Sequence, residues 1–138
     1  MTQANSSNRA PRPEWDHYSG ILRTFVMWNA LLAFVVEVAM LVFVGWWALT
    51  LDLPWWGRIL VAAGAVGALI ALWGSFAAPK ARFKVATPAV VAVKVVAFAS
   101  GAVALWGLGF GVAALVYAVV AALNLTVTTY VRRDRKRR

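Results

Sequence analysis

The sequence predicts an all-α protein, a four-helix transmembrane bundle with short loops, and three observations carry that prediction. Hydrophobic residues make up 62% of the 138 and charged residues only 14%, whereas a soluble domain carries about 25% charged residues. The apolar residues gather into four runs of roughly 20 or more, the length that crosses about 30 Å of hydrocarbon. Finally, Lys and Arg fall at the ends of these runs and almost all on one side, as the positive-inside rule requires. Mean hydropathy is +0.72, too apolar for a chain of this size to cover itself with polar surface in water.

Residues 1–20 form an N-terminal segment. Met1 to Pro13 is rich in Asn, Ser, Pro and Arg and reads as disordered, and Glu14 to Gly20, with Trp15 and Tyr18, suits the membrane interface. No short apolar stretch with a small-residue cleavage site follows a basic start here, so the first span reads as a retained anchor. The membrane domain is expected over residues 21–131, with spans at Phe25–Leu49, Trp56–Ala77, Ala86–Gly107 and Phe110–Tyr130. Asp52-Leu53-Pro54, Pro79 to Lys84 and Gly107-Leu108-Gly109 supply the turns between them. Continuous apolar runs need helices, because an open sheet would leave backbone groups unpaired in lipid, and their lack of alternation excludes a β-barrel.

Twelve of the Lys and Arg residues lie in the N-terminal flank, the second loop and the C-terminal flank, against Arg58 alone on the other side. Both termini are therefore expected inside, in a multi-pass protein of a bacterial cytoplasmic membrane. Residues 132–138 form a basic tail of Arg132, Arg133, Arg135, Lys136, Arg137 and Arg138 around Asp134. Directly after a span, such a tail suits anionic lipid headgroups at the cytoplasmic face. No aromatic stacking platform accompanies it, so nucleic acid is not an expected partner.

Glu37 is the most informative residue. It sits in the middle of the first span, roughly 18 Å from its inner end. A charge at that depth costs about 2.5 kcal/mol or more, so Glu37 faces the bundle interior, carries a proton, or has a partner. Lys94, roughly 12 Å into the third span, is the other deep ionisable residue. Together they read either as a proton or cation site or as a buried ion pair that sets how two helices meet. A third reading has Lys94 snorkelling inward beside a protonated Glu37. Asn29, Ser100 and Asn124 are further polar candidates; Asn29 and Asn124 fall near the inner end and could line one pocket with Lys94, or act as interhelical glue. Small residues mark close packing: Gly57, Gly64, Ala71 and Ala78 recur every seven in the second span beside Gly67 and Gly74, and Ala97, Gly101 and Ala104 stripe the third.

Catalysis finds no support. The chain has no Cys and one His; His17 with Glu14 and Asp16 makes only a loose trio, so no metal site, no cofactor and no nucleophile–base pair are expected. An enzyme is not expected.

Three local motifs resemble the YrdB-like family of small bacterial membrane proteins, a domain of unknown function (DUF2568). They are Asn29-x4-Phe34-x2-Glu37, then Trp73-Gly74-Ser75-Phe76-Ala77-Ala78-Pro79-Lys80, and Asn124 in the last span. The resemblance runs from Trp28 to Tyr130, and its most specific part is Trp73, Gly74, Phe76 and Pro79. It departs where Ala33 stands in place of a frequent Arg and Lys94 in place of a frequent acid. These departures weigh against a shared acidic mechanism and leave an inverted pairing between spans open. The resemblance implies a four-helix bundle and no activity.

The leading functional reading is a structural or accessory subunit that packs with itself as a homo-oligomer or with a larger membrane complex. The alternatives are a small proton-coupled exporter using Glu37, similar in size to small multidrug resistance proteins, and a GtrA-like lipid-linked sugar flippase component. Topology is directly testable. Cysteines placed at Thr2 and Arg138 should escape an impermeant thiol reagent in intact cells, while one at Leu53 should label; labelling of both ends from outside would reverse the orientation.

Overall fold

The computed structural model describes residues 19–77, 82–83 and 85–137. Within them run α1 (Gly20–Leu49), α2 (Trp55–Phe76), α3 (Thr87–Gly107) and α4 (Gly111–Arg137), with no strand among the described residues. All four are long and apolar enough to span a membrane, α4 over Gly111–Tyr130. The all-α transmembrane bundle read from the sequence is the fold. The N-terminal segment before Ser19, together with Ala78, Pro79, Lys80, Ala81 and Lys84, lies outside the described residues.

Two helices outrun their expected spans. α1 starts at Gly20 instead of Phe25 and has 30 residues, about 45 Å at 1.5 Å per residue. Nothing between Ile21 and Phe25 breaks a helix, and Gly20 alone takes the left-handed φ of +61° that turns the chain into it. α4 continues through the basic run to Arg137, so residues 132–137 extend the helix and are not a separate tail. Arg and Lys are good helix formers, and cations at a helix C-terminus complement its dipole. The middle helices, of 22 and 21 residues, are about 33 and 32 Å long.

Local chemistry closes the α1–α2 and α3–α4 turns. The α3–α4 division rests on a Schellman motif: Gly109, at φ +87°, bonds Trp106 O at 2.9 Å, and Phe110 N bonds Leu105 O at 3.0 Å. At the α1–α2 turn, Thr50 Oγ1 donates to Trp47 O at 2.7 Å. Arg58 reaches back from α2, its Nε donating to Leu53 O at 2.8 Å and its Nη1 to Leu49 O at 3.5 Å. Its charge thus sits at the C-terminus of α1, where a cation is stabilising.

α1 and α3 are the two central helices; each touches all three others, whereas α2 and α4 do not meet. α1 turns Val36, Met40, Val44 and Ala48 inward at four-residue spacing. α3 answers with Lys94, Ala97, Phe98, Gly101, Ala104 and Leu105, and α4 contributes Ala114, Tyr117, Ala121 and Asn124. α2 lies at the periphery and buries only Gly57.

That placement divides the glycines. A Cβ on Gly101 would lie 3.1 Å from the Tyr117 ring and 3.2 Å from the Met40 backbone, and one on Gly107 would lie 2.7 Å from Trp47 Nε1. α3 therefore approaches α1 and α4 as closely as its small-residue stripe suggests. The α2 stripe does not do this within the chain. A Cβ on Gly64, Gly67 or Gly74 would meet nothing within 4 Å, because α2 leans on α1 through its other face, where Val66 approaches Gly45. Accordingly, Gly101→Leu should lower the unfolding temperature in detergent, with overpacking costing about 1–3 kcal/mol or more. Gly67→Leu should stay within about 0.5 kcal/mol of the parent in the same melt; equal losses for the two would contradict this packing.

Candidate functional site

The site begins with two charges that hydrocarbon does not tolerate singly. Glu37 stands 12 residues before the end of α1 and Lys94 13 before the end of α3, which places them about 18 and 20 Å from the turns at that end. Gly101, seven residues after Lys94, nevertheless meets the backbone of Met40, three residues after Glu37, so the Lys94 backbone lies roughly 6 Å nearer the N-terminal ends of the two helices. The long lysine stem spans the unequal depths expected from the sequence. Lys94 Nζ donates to Glu37 Oε1 at 2.9 Å, with the two side chains 9% and 14% exposed. A charge-assisted bond of this length is among the stronger hydrogen bonds in proteins. Here it joins the two central helices.

About 12 Å further toward the N-terminus of α1, eight residues along, a second polar layer joins α1 to α4. Asn124 Nδ2 donates to Asn29 O at 3.1 Å and to Asn29 Oδ1 at 3.2 Å, and Asn29 Nδ2 donates to Thr128 Oγ1 at 3.3 Å. Each such interhelical bond is worth about 0.6–2 kcal/mol in a membrane. Asn29 and Asn124 meet each other as expected. Lys94 does not complete a single pocket with them, because its ammonium is drawn to Glu37. It borders instead a recess of about 10 Å³ with Thr87, Thr128 and Thr129, room for roughly one water.

Ser100 plays no part in either layer. Its hydroxyl donates to Ala97 O at 2.6 Å on its own helix, the local bond that Ser commonly makes inside α-helices. Tyr117, by contrast, was not a candidate from sequence, yet its hydroxyl crosses from α4 to bond Val36 O at 3.1 Å. Its ring stands edge-on to Phe43 at 5.4 Å. A Tyr near the middle of a span was the available signal, since a buried hydroxyl needs a partner. Thr128 was hidden among other Thr residues near the end of α4.

The Trp73 motif folds the end of α2 onto the following loop. Phe76 stacks on Phe83 at 5.6 Å, and Phe83 N donates to Ser75 O at 3.0 Å. Trp73 itself packs toward α1, lining a cavity with Phe34 and Glu37. Its Nε1 is buried without a hydrogen-bond partner, alone in this among the described side-chain N and O atoms. Pro79 lies outside the described residues, as do the side chains of Arg132, Arg133, Arg135, Lys136, Arg137 and Arg138. No group of three or more His, Cys, Asp or Glu side chains that could hold a metal occurs among the described residues.

Chemically, the arrangement is two crossbraces, one ionic and one amide–hydroxyl, with the acid neutralised by the base. Glu37→Gln should leave Lys94 charged and unpaired and cost about 3–5 kcal/mol, and Lys94→Met should cost a similar amount. The double variant should recover much of that loss in detergent melts; strictly additive losses would show that the two groups are not coupled.

No curated protein and no solved structure matches the chain. Residues 31–122 match the family described as Protein of unknown function (DUF2568). The matched stretch contains Glu37, Lys94 and the Trp73 motif, which is to say the ionic crossbrace and the cavity beside it. The chain belongs to the DUF2568 family.

Proposed function

We propose that this protein is a non-catalytic accessory subunit of a bacterial cytoplasmic membrane, with both termini inside, which packs with a second copy or a larger complex. The observation that carries the reading is the Lys94–Glu37 bond at 2.9 Å. An acid matched by a base on the neighbouring helix serves as a brace, whereas a cation carrier needs its carboxylate free to exchange charge. The peripheral position of α2 adds support. Its Gly64, Gly67 and Ala71 are exposed, and small residues of this kind favour close helix–helix contact in lipid. The basic continuation of α4 suits contact with anionic headgroups.

The same variants separate bracing from transport. In proteoliposomes carrying a proton gradient, the parent protein should show no flux above empty vesicles, and Glu37→Gln should change nothing there. Gly64→Leu should leave the detergent melt unchanged yet abolish self-association or co-purification of a larger complex. Proton-coupled flux lost on Glu37→Gln would overturn the accessory reading in favour of an exporter.

A further inference from the structure

The α1–α4 interface is fastened at its two ends and open in the middle. Asn29 bonds Asn124 and Thr128 at one end, and the Trp46 and Phe110 rings lie 5.8 Å apart at the other. Between these fastenings runs a groove of about 970 Å³. We propose that it seats one phospholipid of the leaflet adjoining the α3–α4 turn, with acyl chains along the groove and the phosphate at the first turn of α4.

Size and environment select lipid chains for the groove itself. Val36 and Tyr117, which line it while only 4% and 8% exposed, form its base, and the Tyr117 hydroxyl bonded to Val36 O ties the two helices there. The α4 wall runs from Phe110 to Val120, about 15 Å at 1.5 Å per residue, which is one leaflet of a hydrocarbon core about 30 Å thick. Spread over that length, the volume gives a cross-section of about 65 Å², against about 80 Å² or more for a helix 10–12 Å across. A helix of a second copy therefore cannot reach the base, whereas flexible acyl chains can. Val112 and Val116 at the rim are 79% and 58% exposed, and at this depth that exposure is to hydrocarbon, where no water competes for the space.

Charge complementarity selects the headgroup. The backbone N–H groups of Gly111, Val112 and Ala113 open α4, and none has an acceptor among the described residues; the first to be bonded is Ala114 N, to Phe110 O. Free donors at the positive end of a 27-residue helix favour an anion, and no acidic side chain stands in that first turn to supply it. The same three residues line the groove. One ligand must therefore join an anion to long apolar chains, with the anion where the α3–α4 turn leaves the hydrocarbon, and a phospholipid does both.

The test places the full chain in phosphatidylcholine nanodiscs with a trace of the same lipid carrying a diazirine in one acyl chain, and maps photolabelled residues by mass spectrometry. Labelling should concentrate on Ala39, Val116 and Val120 of the groove over Leu60 and Ala68, which are exposed on α2. Ala113→Trp, which fills the groove from an exposed position, should bring groove labelling down to the α2 level. A diacylglycerol with the same photoactive chain lacks the phosphate. It should label the groove about 2–10-fold less, the value of one hydrogen bond, and α2 equally. Where Ala113→Trp does not fold, the comparison of the two lipids in the parent decides the matter. Even labelling of groove and α2, equal labelling of the groove by both lipids, or an unlabelled groove would overturn the proposal.

Discussion

The bond between Glu37 and Lys94 sets both the depth and the rotation of the two central helices. Neither charge can face lipid without penalty, so α1 must present Glu37 to α3 and α3 must present Lys94 to α1 within reach of the lysine stem. With that contact fixed, Met40 comes to lie one turn further along α1. There its backbone meets Gly101, where α3 has no side chain. Tyr117 of α4 packs on the same glycine and reaches the carbonyl of Val36. A slide of one turn, about 5.4 Å, would unpair the charges and drive Met40 against side chains instead of a glycine. Ionic and steric terms thus select the same register.

The two halves of the bundle are held by different physics. Toward the N-terminus of α1, side-chain hydrogen bonds from Asn29, Asn124 and Thr128 join α1 to α4. Toward its C-terminus, Trp47 closes on Gly107, Trp46 lies 5.8 Å from Phe110, and backbone turns finish the work. Polar bonds in lipid are directional and tolerate few alternatives, whereas aromatic and glycine packing depends on shape alone. α2 shares little of either. It rests on α1 and part of α3, and its inner contacts surround a cavity instead of filling it.

The spans were legible because long apolar runs have few other uses, and the ion pair because only Glu37 and Lys94 are ionisable at depth. The match was legible, and so was the difference in backbone depth that the long Lys94 stem spans. The glycine stripes show the limit of pattern reading. Gly101 and Gly64 look alike in sequence, but only the first has a neighbour within the chain, and that depends on which helices are central. Tyr117 and Thr128 escaped notice because a hydroxyl in a span becomes informative only once its partner's position is known. Ser100 was the reverse case, a polar residue satisfied within its own turn. The orphaned indole of Trp73 is visible only in three dimensions.

The 57 residues that separate Glu37 from Lys94 also order events in time. A ribosome adding about 5–20 residues per second makes Lys94 about 3–11 s after Glu37. For that interval the nascent α1 holds an acid whose counter-charge has not yet been synthesised. Until α3 arrives, that acid is tolerable in the bilayer only protonated or in reach of water or another polar group; the ionic brace forms only once the third helix is made.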